Sequence, residues 1–400
     1  MLARLFLAAL FVAAASAQSL FQQVDEMVSA LSEITGWKIE RRVPSEMLSK
    51  EKFHNFVDSR MKDKSSREQL RAEEITLKMF GFVPQDYDLA QETVDLVSEQ
   101  AAAFYDYNKK RLFILDSTGE GMEQRVALVH ELAHALADQH HHLGKYLHKG
   151  APDDDAATAR QAVMEGQATW LTWAYVSKRN GGKPEVPPEL MNELVKSLGS
   201  DSTEFPVFTK APLYMKESLV FPYNEGLRFQ DAVFRKMGRA AFDEVFKRAP
   251  LSTQQILHPD AYLDEKKPVD PEAPSLEKQQ ARPFRVFAEG SLGEFDLSVL
   301  LRQYVGEKEG ADAAAHWRGS SYRLYEHKRE KYHVLTFRSE WDSEESGRKF
   351  CELYQQVMKG RWKKMDDLQT AGSQITGVGD SGKFRLTCEG SIVESIEGLR

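Results

Sequence analysis

Val129-His130-Glu131-Leu132-Ala133-His134-Ala135-Leu136-Ala137-Asp138 lies inside an unbroken run of good helix formers. Positions four apart share one face of a helix, about one turn from each other. His130 and His134 can therefore aim both imidazoles at a single point. Glu131 lies about 100° round the helix from His130, within reach of a water held at that point. Two neutral imidazoles and an adjacent carboxylate match the needs of a catalytic zinc, namely two ligands and a general base.

The flanks extend the reading. A helix is predicted from about Met122 to His142, capped by Ser117, Thr118 and Gly119 and stopped at Leu143-Gly144. One side carries Leu128, Val129, Leu132, Ala135 and Leu136; the other carries Ala127, His130, His134, Ala137 and Asp138, whose small neighbours leave room for an ion. Before it, residues 103–107 and 111–115 read as a hairpin around Asn108-Lys109-Lys110. The strand ending at Leu115 is a candidate open edge for an added peptide strand. After it, Asp153, Asp154 and Asp155 cap a second predicted helix, Ala156 to Lys178. Glu165 sits mid-helix among Gln161, Ala162, Ala168, Thr169 and Thr172, opposite Val163, Trp170, Trp173 and Ala174. A half-buried carboxylate needs a partner, and a metal is one such partner.

The motif and its flanks through Asp138 resemble the active-site helix of zinc metallopeptidases of the thermolysin-like, gluzincin type. The resemblance implies that His130 and His134 bind Zn²⁺ and that Glu131 activates a water and hands its proton to the leaving amine. It also implies a third ligand on the following helix, the place of Glu165, 31 residues after His134. In that type an acid usually follows the ligand Glu by four residues, where this chain has Thr169. Asp138 is then a candidate to orient a metal-bound imidazole, with a surface pair to His142 as its alternative. A wider likeness, carried by Phe104-Tyr105-Asp106, Asp138-Gln139-His140 and Pro222-Tyr223-Asn224-Glu225-Gly226, is to a group of exported bacterial proteins.

Export is also expected from the start of the chain. Arg4, the apolar run Leu5 to Ala14 and Ala15-Ser16-Ala17 read as a cleavable signal over residues 1–17. No other segment has the apolar length to span a membrane. The full chain carries a formal charge of −8, which excludes a nucleic-acid grip. Cys351 and Cys388 are the two cysteines, read as one disulfide or as two buried thiols.

The fold class expected is α+β. Residues 18–100 form a mainly helical region and 101–260 a mainly helical, zincin-like zinc domain with a small sheet. A proline-rich linker over 261–283 leads to a C-terminal α+β domain, 284–400, with an antiparallel sheet. A transition-state donor is sought among Tyr223 and His258, both placed in short segments between helices, and either is equally a satisfied core residue. The run His140-His141-His142 reads as a solvated helix end, with His141 nearest the metal face. Together these residues predict a secreted or periplasmic zinc peptidase acting on peptide or protein substrates. The alternative is a zinc-holding binding or structural protein that does not cut.

Overall fold

The computed structural model describes residues 23–62, 64–116, 121–148, 151–197 and 205–400. The expected signal over 1–17 and the expected cap at Ser117–Gly119 lie outside these residues. The chain is α+β, with mixed helices and a small sheet first and a large antiparallel sheet last.

The first core gathers a helix over 23–35 (α1), α5 (Met122–His141), α7 (Asp154–Arg179) and α10 (Leu213–Met237), with residues such as Leu31, Leu132, Leu136, Trp170, Phe229 and Phe242 fully enclosed. Side-chain caps start some of the helices. Asp153 caps α7 by accepting from Ala156 N, for instance, and Asp154 and Asp155 add favourable charge at its first turn. Beside α5 lies a three-stranded sheet in the order β1-β3-β2, from Ser45–Leu48 (β1), Ala103–Asp106 (β2) and Arg111–Leu115 (β3).

Here several expectations change. β3 is the central strand, paired in parallel with β1 (Ser45 to Leu112, Leu48 to Leu115) and antiparallel with β2. The strand ending at Leu115 therefore has no open edge; the edge nearest α5 belongs to β2. Residues 37–43 form no strand, and Trp37 sends its indole N–H to Asp243 Oδ1, 2.8 Å away. A long helix, α3 (Lys64–Phe80), begins in the charged stretch. Leu143-Gly144 opens a short helix, since His142, at φ 52°, makes the left-handed stop of α5. α10 runs straight through Pro222, so Tyr223 is helical rather than inter-helical.

The second core is built on a seven-stranded sheet in the order β4-β5-β6-β10-β9-β8-β7. Its strands run from Phe284–Gly290 (β4) through Trp317–His327 (β5), His333–Trp341 (β6), Met365–Ala371 (β7), Gln374–Gly379 (β8) and Gly382–Glu389 (β9) to Ile392–Leu399 (β10). All described pairings in it are antiparallel. α15 (Glu294–Tyr304) and α17 (Glu344–Arg361) pack on it, and a Cys351–Cys388 disulfide, Cα atoms 6.1 Å apart, ties α17 to β9.

Residues 23–100 are divided among several cores, with Phe53, Val57 and Val94 forming a small cluster around Leu115. α1 belongs to the first core, while Leu77, Phe80, Phe82, Val83 and Leu89 belong to the second. The stretch expected as a linker is also docked: Ser321 Oγ donates to Pro271 O, Val269 N donates to Arg318 O 2.8 Å away, and Leu276 packs with Phe284, Val334 and Ile396. Among the described residues no helix is long and apolar enough to cross a membrane.

Candidate metal centre

α5 and α7 pack side by side in the first core, and one turn of each faces the other. His130 Nε2 and His134 Nε2 are 3.1 Å apart, and Glu165 Oε2 lies 3.0 Å from the first and 3.2 Å from the second. The two imidazole planes stand at 87°. One ligand atom from each of the three residues thus falls within a single small volume, and this is the one such group among the described residues.

The donor set fits zinc. Four-coordinate zinc with N and O donors about 2.0–2.2 Å from the ion sets those donors about 3.4 Å apart, a few tenths of an ångström wider than the spacing here. The side chains are nearly enclosed, with 14%, 9% and 11% exposure for His130, His134 and Glu165. Burial pushes the Glu165 carboxyl up, but His134 and then His130 outweigh it and hold that carboxyl well below the usual range. Glu165 is therefore in the ionised form that binds metals.

Glu131 is positioned by the small sheet. Its Oε2 accepts a hydrogen bond from Tyr105 N of β2, 2.8 Å away. Removal from water pushes its carboxyl up to about 7, and the nearby Glu165 charge adds to this against His130 and the Tyr105 amide. A carboxyl near neutrality is matched to taking and returning a proton. Sequence reasoning missed this amide, because only the register of β2 brings it to α5.

Tyr223 joins the group from α10. Its ring stacks on His130, centroids 5.7 Å apart at 29°, and its hydroxyl lies in the field of the Glu165 carboxylate. The Glu165 charge, followed by loss of water, holds that hydroxyl protonated far above the usual tyrosine range. It is a fixed proton donor beside the three ligands.

The other candidates go elsewhere. His258, between α12 (Thr253–Leu257) and α13 (Pro259–Leu263), has Nε2 2.7 Å from Glu294 Oε1 at the junction with the second core. That bond raises its pKa, and His258 is not among the converging ligand atoms. Asp138 neither orients a ligand imidazole nor pairs with His142. It is fully buried and accepts from Tyr105 Oη at 2.9 Å, Lys110 Nζ at 2.6 Å and Leu143 N at 2.9 Å, tying the hairpin to the end of α5. His140 stacks on Trp37; His141 stacks on Phe246, with Nε2 3.0 Å from Asp243 Oδ1. Burial lowers the His141 pKa to about 4, so this histidine is a neutral packing group. Thr169 is buried and its Oγ1 has no hydrogen-bond partner among the described residues.

Residues 282–399, which span β4 to β10, match a family described as a domain of unknown function (DUF8575). No curated protein and no solved structure matches the chain.

Proposed function

We propose that this protein is an exported zinc-dependent peptidase with a zincin-like domain, in which His130, His134 and Glu165 hold the metal. The observation that carries this reading is the convergence of two imidazole nitrogens and one ionised carboxylate oxygen within 3.0–3.2 Å, with Glu131 on the same helix. Zinc bound there would supply a Lewis acid for an amide carbonyl and make a water acidic enough to attack it. Glu131, with a carboxyl near 7, takes the proton from the attacking water and delivers it to the departing amine. Tyr223, protonated at any working pH, keeps its one O–H toward Glu165 in the resting site and turns it to the oxygen that gains charge as the carbonyl is attacked. The signal-like residues 1–17 support action outside the cytoplasm.

A role as a zinc-holding binding protein is favoured by one observation: Thr169 stands where an outer carboxylate would steady the site. Metal analysis after dialysis, combined with cleavage-site profiling on a peptide library, separates the two. One zinc per chain with cleavage that disappears in Glu131→Gln supports the peptidase. One zinc with no cleavage at any pH leaves the binding role, and a chain with no zinc affinity sinks both.

A further inference from the structure

α7 and α10 meet at a pair of glycines next to the candidate metal centre. A Cβ built on Gly166 would lie 2.0 Å from the carbonyl carbon of Gly226, and one on Gly226 would lie 2.1 Å from Ala162 O. No side chain fits there, and the obstacle on each side is backbone, which cannot rotate away. Neither glycine has a positive φ, so the requirement is for space rather than for an unusual backbone. Glycine in the middle of a helix is costly, and these two sit well inside helices of 26 and 25 residues. Their use needs a local reason.

The neighbours give one. Glu165 precedes Gly166 directly, and Tyr223 lies three residues before Gly226, on the same face of α10. Helices that touch through side chains stay about 8–10 Å apart; a glycine pair lets them approach more closely. Further along the same interface, Gln167 Nε2 donates to Gln230 Oε1 at 3.4 Å, and Trp170 Nε1 donates to Asp231 Oδ1 at 3.1 Å. These bonds fix the register in which the glycines oppose one another. In that register Tyr223 reaches both Glu165 and the ring of His130.

We propose that Gly166 and Gly226 are positioning residues that hold the Tyr223 hydroxyl on the Glu165 carboxylate, so that this tyrosine sets how tightly the site binds zinc. The inference rests on His130, His134 and Glu165 being the zinc ligands. A hydroxyl donated to a ligand carboxylate fixes its orientation before the metal arrives, and loss of such an outer partner costs about 10–100-fold in metal affinity. The glycine crossing extends that dependence to a residue which touches neither the metal nor its ligands.

The test uses the full chain carrying Glu131→Gln, so that zinc affinity is read without turnover, by competition with a chelator. Tyr223→Phe and Gly226→Ala should each weaken zinc binding by about tenfold or more. The double variant should be no weaker than the weaker single one, because both remove the same bond. Unchanged affinity in Tyr223→Phe overturns the proposal, as do losses that multiply in the double variant. Circular dichroism and a thermal melt check folding. Should Gly226→Ala fail to fold, the crossing has no slack and Tyr223→Phe decides alone: weakened zinc supports the proposal and unchanged zinc overturns it. A Glu131→Gln parent that takes up no zinc refutes the metal reading itself, a result distinct from zinc bound without coupling.

Discussion

Glu165 in the first core and Glu326 in the second are both buried carboxylates, yet their surroundings differ in kind. Glu326 is fully enclosed, with Arg71 Nη2 at 2.7 Å, Arg285 Nη2 at 2.8 Å and Lys331 Nζ at 3.3 Å. Burial alone would raise its pKa, and these cations, led by Arg71, bring it down to about 2. Glu397 is likewise enclosed, with Arg361, Tyr354 Oη at 2.9 Å and Ser395 Oγ at 3.0 Å around it. Glu165 meets two imidazoles and a tyrosine instead, and His134 and then His130 hold its carboxyl down. A carboxylate already held by guanidinium groups has its charge and its lone pairs used. A carboxylate held by imidazoles has partners whose neutral form is itself a metal ligand. The first arrangement fastens a fold; the second leaves chemistry to do.

The sharpest way to break this contrast is to remove one imidazole. His134→Ala should abolish stoichiometric zinc while the chain remains folded, which metal analysis and circular dichroism check together. Glu131→Gln should keep the zinc and lower peptide cleavage by about 10²–10⁴-fold, measured as initial rates on any peptide found by profiling. On the other side, Arg361→Met leaves Glu397 enclosed without its cation. That should cost about 3–5 kcal/mol of stability with zinc content untouched; a change in zinc loading would mean the two cores are not separate in this sense.

A third kind of buried carboxylate sharpens the comparison through pH. Asp296 accepts from Gly293 N at 2.8 Å and Tyr214 Oη at 2.9 Å, and burial pushes it up to about 6. Below about pH 4, the usual aspartate value, it is protonated in both folded and unfolded chains. Between there and about 6 the unfolded chain gives up the proton while the folded chain keeps it. Stability therefore falls as pH rises through this window, by about 2–3 kcal/mol, and Asp296→Asn should flatten that part of a denaturation profile. Smallest of all, Lys331→Met should shift stability by about 1 kcal/mol or less, since its side chain is 58% exposed and both arginines remain on Glu326.

The residues that were legible in the sequence depend on local rules. His130 and His134, the proposed ligands of α5, share one helix, and Glu165 stands out as an acid among small neighbours, so both could be found from spacing and composition. Tyr223 was noticed in its motif but misplaced, because Pro222 reads as a helix break. In a helix as long as α10 a proline removes one backbone bond, and packing against α7 carries the helix through. The partner of His258, Glu294, comes 36 residues later, a pairing that no local pattern announces. β1 was missed because four residues paired in parallel to a strand more than 60 positions away carry little pattern of their own. β4 and β7 form the two ends of the large sheet, and the exposed face of β7 shows none of the apolar alternation that marks a half-buried strand.

The first turn of α7 is gripped from the second core. Tyr322 Oη donates to Asp154 Oδ2 at 3.1 Å, Asp155 N donates to Ser291 Oγ at 3.2 Å, and Gly293 leaves no space for a side chain beside Asp155. Glu165 sits on the same rod about 16 Å further along. A continuous helix transmits a tilt or a slide at one end to the other, so the C-terminal segment acts as the mount on which Glu165, the proposed third ligand, is aimed. Whatever binds to or loads that C-terminal sheet also has mechanical access to the alignment of the metal centre.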